Sequence, residues 1–317
     1  MSKHSTKSSA LTPSKTEGSK KPKLVVVLGP TASGKSALAV RLAKKFNGEI
    51  ISADSRQIYK GMDIGTGKIT RKEMRGIRHH LLDIRNPDEP YAVAEYKKDA
   101  IRVIRSILRR KKLPILVGGT GLYIRAITEN LEIPAVPPNP ILRRELEQKL
   151  AENGLNELFK ELVKLDPEAA YIVDGKNPRR VLRALEVTII SGKPFTSQKQ
   201  KGPKLFETLK LGLNPTDLRK RIDGRAGKMI HAGLVQEVKK LVKKYDTSTQ
   251  ALNAIGYREI IRYLKKELNL PQALGLIQKN TWQYAKRQMT WFRRDKEINW
   301  VKNEKETEKL VKKFLAA

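Results

Sequence analysis

The sequence predicts an α/β fold: a parallel-sheet core, then a helical insertion, then a helical C-terminal half. Three observations predict it. Up to Asn130, short apolar runs rich in β-branched residues alternate with helical stretches. A glycine-bearing loop joins the first run to the first helix. A stretch rich in proline then separates this part from a long remainder with helical patterning. Strands that alternate with helices pair in parallel, through right-handed crossovers.

The elements follow in order. Residues 1–22 are rich in Ser, Thr and Lys, hold Glu17 as the one acid, and are expected to form a disordered basic tail. The tail has no apolar h-region and therefore does not read as a secretory signal. Residues 24–28 (LVVVL) read as a strand buried on both faces. Residues 36–46 follow as a helix, with Leu38, Leu42 and Phe46 on one stripe. Residues 49–53 (EIISA) form a second strand, 96–111 a helix with Ile101, Ile104 and Leu108 inward, and 114–117 (PILV) a third strand closed by Gly118 and Gly119. Residues 133–140 hold four prolines and read as a hinge. Beyond it, helices are expected over 141–165 and 178–191, the latter with Val181, Leu182, Leu185 and Ile189 inward. A last sheet strand is expected at 205–213, then helices over 217–245, 257–268 and 271–294. The expected division is therefore a tail (1–22), an α/β core (23–130), a helical insertion (131–200), and a last strand with C-terminal helices packed on the core (201–317).

Composition narrows the function. With 65 Lys+Arg against 33 Asp+Glu, the formal net charge is +32, which points to a polyanionic partner and above all to nucleic acid. The basic residues are spread along the whole chain, unlike those of a membrane-surface helix. The absence of cysteine excludes disulfides, thiolate zinc sites and a thiol nucleophile. No apolar run is long enough to span a bilayer, so no membrane role and a cytoplasmic location are expected.

The loop after the first strand carries the sharpest signal. Gly29, Pro30, Thr31, Ala32, Ser33, Gly34, Lys35 and Ser36 fit G-x-x-x-x-G-K-[ST], with a strand before and a helix after, which is the context a phosphate loop requires. The core therefore reads as P-loop NTPase-like. Successive amides and a helix N-terminus cradle phosphate oxygens. Lys35 adds charge, and the Ser36 hydroxyl can ligate Mg²⁺. Thr31 either reaches a phosphate oxygen or only bonds within the loop. A hydrolytic phosphate-loop protein also carries a strand ending in Asp. Here the third strand ends in Gly118-Gly119-Thr120-Gly121, so nucleotide hydrolysis need not follow.

Asp54 ends the second strand, at the sheet edge where the phosphate loop lies. A carboxylate there can bind Mg²⁺ or accept a proton, or merely stabilise a turn. His79 and His80 are adjacent, do not share a helix face, and read as structural or RNA-facing.

Seven segments in order give a family resemblance: GPTASGKS (29–36), ISADSRQIYKGMDIGTGK (51–68), HHLLDI (79–84), PILVGGTGLYIRA (114–126), NPRRVLRALEV (177–187), NAIGYREI (253–260) and YAKRQMTWFRR (284–294). On these the chain resembles the bacterial tRNA dimethylallyltransferases (tRNA isopentenyltransferases). The resemblance implies transfer of a dimethylallyl group from dimethylallyl diphosphate to N6 of the adenosine immediately 3′ of the anticodon, with Mg²⁺ as cofactor. A monomer is expected, although the sequence itself does not set the oligomeric state. It implies Asp54 as general base, and Thr31 and Arg225 as catalytic groups at the diphosphate. For tRNA it implies Asp54, Ser55, Arg56, Gln57, Thr120, Arg143, Arg179, Arg180, Val181, Leu182, Arg183, Asn253, Ala254, Ile255, Gly256, Tyr257 and Arg258. The chain departs from the family pattern at Trp282, where an arginine is usual, at Arg179, where Gln is frequent, and at Ser36, where Thr is common. A metabolite kinase would share the loop and Asp54 but has no use for such a basic chain. A non-catalytic RNA binder, or a transferase acting on a free adenine nucleotide, are the other readings.

Overall fold

The computed structural model describes residues 20–317 except 135, 138, 199 and 200. The expected tail therefore lies, up to residue 19, outside the described residues. In chain order the elements are β1 (Lys23–Leu28), α1 (Lys35–Lys45), β2 (Gly48–Ala53), α2 (Arg71–Met74), β3 (His79–His80), α3 (Val93–Arg109), β4 (Leu113–Gly118) and α4 (Gly121–Thr128). Next come α5 (Pro140–Leu165), α6 (Ala169–Ile172), α7 (Pro178–Ser191) and β5 (Glu207–Gly212). The chain continues with α8 (Leu218–His231), α9 (Leu234–Lys244), α10 (Tyr257–Leu264), α11 (Leu270–Phe292), β6 (Ile298–Trp300) and α12 (Glu304–Ala316).

The six strands form one parallel sheet in the order β3-β2-β4-β1-β5-β6. Leu24, Val26 and Leu28 of β1 face a core shared with α3, α4 and the end of α11, while Val25 and Val27 face α1 and α12. The strand is apolar throughout because both faces are covered. Each such side chain contributes about 1.5–3 kcal/mol by leaving water. From β1 the chain crosses to β2 on one side, and from β4 it returns to β5 on the other. The β1–β4 boundary is thus where the winding reverses, and ligands bind in the crevice at the strand C-termini of such a boundary.

A separate apolar cluster holds α5, α6 and α7 together through Leu146, Leu158, Leu162, Ala169, Val181 and Leu185. A further cluster unites α8 to α11 with Ile58, Tyr59 and Met62 from the segment after β2. Among the described residues no helix is long and apolar enough to cross a membrane.

Several expectations need correction. The strand at 205–213 is not the last, because Ile298–Trp300 adds an edge strand beside it. His79 and His80 form an edge strand too short for any periodicity signal. The stretches 141–165 and 217–245 are each broken by a glycine: Gly154 (φ 78°) within α5 and Gly233 (φ 99°) between α8 and α9. Ile189 is 43% exposed, because the inward stripe of α7 drifts to Val187 and Thr188 in its last turns.

Candidate active site

The phosphate loop leaves β1 through a backbone that few side chains tolerate. Gly29 sits at φ 152°, where a Cβ would lie 2.6 Å from the Leu213 carbonyl oxygen. Gly34 (φ 89°) caps α1 in the left-handed region, so the helix opens at Lys35 with its first amides uncommitted. Lys35 Nζ donates to the Pro30 carbonyl at 3.1 Å. Among the described residues the buried Ser33 hydroxyl has no hydrogen-bond partner, and the Ser36 side chain is exposed at the helix mouth.

The second wall grows from β2. Asp54 follows Ala53 and stands in the same cleft as Thr31, Lys35 and Ser36. Its Oδ1 accepts from the Arg56 amide at 2.9 Å, so the turn role and the cleft position coexist. The Ser55 amide donates to Thr120 Oγ1 at 3.1 Å, tying this turn to the end of β4. Close approach of the two strand ends is possible because a Cβ at Gly118 would overlap the Ala53 backbone. Gln57 points its amide at the Gly67 carbonyl, 3.4 Å away.

The third wall is α8 and α11. Arg225 Nη1 approaches Thr31 Oγ1 at 3.4 Å, and Nη2 donates to the Gly67 carbonyl at 3.2 Å. Buried Gln288 accepts from the Thr31 amide at 2.9 Å and donates to the Gly119 carbonyl at 2.8 Å, clamping the phosphate loop to the strand ends. Tyr284 also lines the cleft; burial foremost, then the Asp54 charge, push its phenol up to about 12. The enclosed space is about 460 Å³.

The charges in this cleft are unusual. Burial, opposed by the Asp54 charge and reinforced by that of Arg225, brings Lys35 down to about 8. Burial also lowers Arg225, against the attraction of Asp54 and Glu73. Among the described residues neither cation makes an ion pair with a carboxylate. Two half-buried cations beside the N-terminus of α1 form a site for a polyanion.

The implied RNA residues divide by placement. Arg56, Gln57, Asn253, Ala254, Ile255, Gly256, Arg258 and, from the helical lobe, Arg179 all line the cleft. Arg180 is exposed nearby, 3.8 Å from Asp174. Arg143 and Arg183 are both engaged by the buried carboxylate of Glu186. Val181, Leu182 and Tyr257 are buried, and the Tyr257 hydroxyl donates to Glu237 at 2.6 Å. Sequence reasoning missed Gln288, Tyr284, Arg287, Gln250, Thr66 and Gly67 as cleft-lining or supporting groups. All but Gln250 fall inside segments quoted for the resemblance, but nothing in their residue types singled them out. Trp282 packs against the cluster of Leu218, Ile222 and Ala285, as Ala32 does, with Arg219 and Lys286 over its ring at 5.6 and 5.3 Å. His80 bonds Glu49 at 2.7 Å and His79 bonds the Ile77 carbonyl, so both serve the sheet edge.

The residues fit a magnesium ion held largely by a substrate. Among the described residues no group of three or more His, Cys, Asp or Glu could cage a metal. The cleft instead offers the hard oxygens of Ser36 and Asp54 beside the phosphate loop. Mg²⁺ commonly takes one or two protein oxygens and completes its shell with phosphate and water.

A model of the IPP transferase family matches residues 57–295, beginning just after Asp54. A tRNA dimethylallyltransferase from Thermoanaerobacter sp. (strain X514) is 46% identical over 278 residues, covering 85% of this chain and 88% of the relative. One from Halothermothrix orenii is 47% identical, covering 86% and 84% respectively. Among solved structures, the full-length tRNA isopentenylpyrophosphate transferase of Bacillus halodurans aligns with a TM-score of 0.68 at 38% identity, over 94% of this chain and 96% of that one. A eukaryotic dimethylallyltransferase caught acting on tRNA aligns with a TM-score of 0.73 at 32% identity, over 85% and 69% of the two chains.

Proposed function

Since the chain belongs to the IPP transferase family and is a tRNA dimethylallyltransferase, we propose how its cleft performs the transfer: dimethylallyl diphosphate lies in the phosphate loop and meets an adenosine of tRNA at Asp54. The observation that carries this reading is the pair of half-buried cations, Lys35 and Arg225, in one cleft with a carboxylate and, among the described residues, in no ion pair.

The exocyclic amine of adenine is a poor nucleophile because its lone pair is delocalised into the ring. Asp54 accepts a proton from N6 as the new bond forms to the terminal allylic carbon of the donor. The carbon–oxygen bond to the diphosphate breaks in the same step, and its electron pair leaves with the diphosphate. Charge building on that group is met by the loop amides, Lys35 and Arg225, with the Thr31 hydroxyl accepting from Arg225 beside them. Ser36 would hold Mg²⁺, which when bound further neutralises the diphosphate. The allylic position spreads the positive charge on carbon, and Tyr284 with the apolar faces of α8 and α11 keeps water from that side.

The base of a folded RNA must leave its stack to enter such a cleft. Arg56, Arg179, Arg258 and Asn253 rim the opening and would engage the flanking backbone. A tRNA substrate supports a cytoplasmic setting.

The test is direct. Purified protein, unmodified tRNA, dimethylallyl diphosphate and Mg²⁺ are incubated, and the nucleosides are analysed by mass spectrometry. The expected product is N6-(dimethylallyl)adenosine next to the anticodon. Unmodified adenosine, with ATP turnover on a small metabolite instead, would contradict the reading.

A further inference from the structure

Arg225 enters the cleft from α8, but the atoms that aim it lie on another segment. Its Nη2 donates to the carbonyls of Thr66 (3.4 Å) and Gly67 (3.2 Å). These are long bonds to neutral acceptors. The guanidinium therefore goes where the turn at residues 63–67 puts those oxygens.

That turn is held from its far side by one carboxylate. Glu237, in the first turn of α9, accepts from the amides of Asp63 (3.1 Å) and Ile64 (2.8 Å) on Oε2. Its Oε1 accepts from the Gly65 amide (3.1 Å) and from the Tyr257 hydroxyl (2.6 Å). Three successive amides converging on an anion form a nest, and hydrogen bonds to an ionised acceptor are the strong kind. With these N–H groups committed to Glu237, the next two carbonyls face Arg225 and the Gln57 amide. The turn has no room for side chains at two places. A Cβ at Gly65 would strike the Tyr257 ring, and one at Gly67 would overlap the Arg225 guanidinium. Gly65, Thr66 and Gly67 line the cleft, whereas Glu237 does not.

We infer that Glu237 is a positioning residue for prenyl transfer: it pins the 63–67 turn, whose carbonyls hold Arg225 at the leaving diphosphate. The inference rests on Arg225 being a diphosphate-binding group. Glu237 itself touches no substrate and acts only through the turn.

A double-mutant cycle tests it. Glu237→Gln keeps the side chain's size but cannot accept from four donors at once. In the wild-type background kcat is expected to fall about tenfold, with the KM for tRNA changed less than about twofold. In an Arg225→Ala background the same substitution is expected to cost no more than about twofold, because the group it positions is gone. Tyr257→Phe, which deletes one of the four donors, gives a smaller loss with the same dependence on Arg225, and serves if Glu237→Gln folds poorly. Guanidinium added to Arg225→Ala should restore part of the turnover, and less in the double variant. Equal losses in both backgrounds, or a loss of tRNA affinity that parallels kcat, overturn the inference and leave the role of Arg225 standing. Full turnover by Arg225→Ala overturns that role and the inference together.

Discussion

Lys35 gives the residue scale its clearest consequence. In the free protein it loses its proton near pH 8, because burial outweighs the pull of Asp54 and Arg225 repels. A bound diphosphate favours the charged lysine, so binding above that pH takes up a proton. The kcat/KM for the donor should therefore fall about tenfold per pH unit above roughly pH 8. Lys35→Arg stays charged throughout. Its profile should lack that limb, whatever its ceiling. A wild-type profile flat to about pH 10 would contradict the assignment. At this scale, legibility in the sequence varied by residue. Thr31, Lys35, Ser36 and Asp54 stood out because a loop motif and a strand end fix where they point. Gln288 did not, since one glutamine in a helix shows nothing of two backbone partners at Thr31 and Gly119 that lie far away in sequence. Arg225 was visible only through the family resemblance, as one cation in a very basic chain.

Individual elements show what periodicity reads well and what it cannot. β1, β2 and β4 were legible because strands covered on both faces are continuously apolar, and α1, α3 and α7 because their stripes are. The two-residue β3 and three-residue β6 were not, since their pairing is decided by neighbours. Asn139, Asn177, Asn269 and Asn303 each accept from first-turn amides and start α5, α7, α11 and α12. The edge of the sheet carries a buried carboxylate with a measurable effect. Glu49 on β2 bonds Arg110, His80 and Lys112, and these three bring it down to about 2 against the opposing cost of burial, the largest single effect. Its folded pKa is below the unfolded one. The stabilisation is thus complete above about pH 4.5 and is lost as the pH falls toward about 2; at about 1.4 kcal/mol per pKa unit it is on the order of 3 kcal/mol. Glu49→Gln should lower the unfolding midpoint at pH 7 and make stability less dependent on pH over that acid range. Parallel acid unfolding curves for variant and wild type would contradict this.

At the scale of the whole molecule, the sheet edge, the α8–α11 bundle and the lobe of α5 to α7 each send residues to one cleft. The chain as a whole carries a formal net charge of +32. Counterion release should make tRNA affinity fall on the order of 10³-fold between about 50 and 200 mM salt, and a flat response would argue against broad phosphate contact. The mixed α/β fold with a parallel sheet and many helices was legible because apolar strand runs alternate with helical stretches before a change to helical patterning. The way the lobe brings Arg179 to the cleft was not, as it depends on packing between distant segments. Prenyl transfer in this cleft requires Asp54 to meet the donor and the base in one place. Its most direct test is single-turnover transfer by Asp54→Ala beside tRNA binding by the same protein. Transfer should drop about 10³-fold while tRNA affinity stays within about threefold of wild type. Transfer at the wild-type rate would contradict the account.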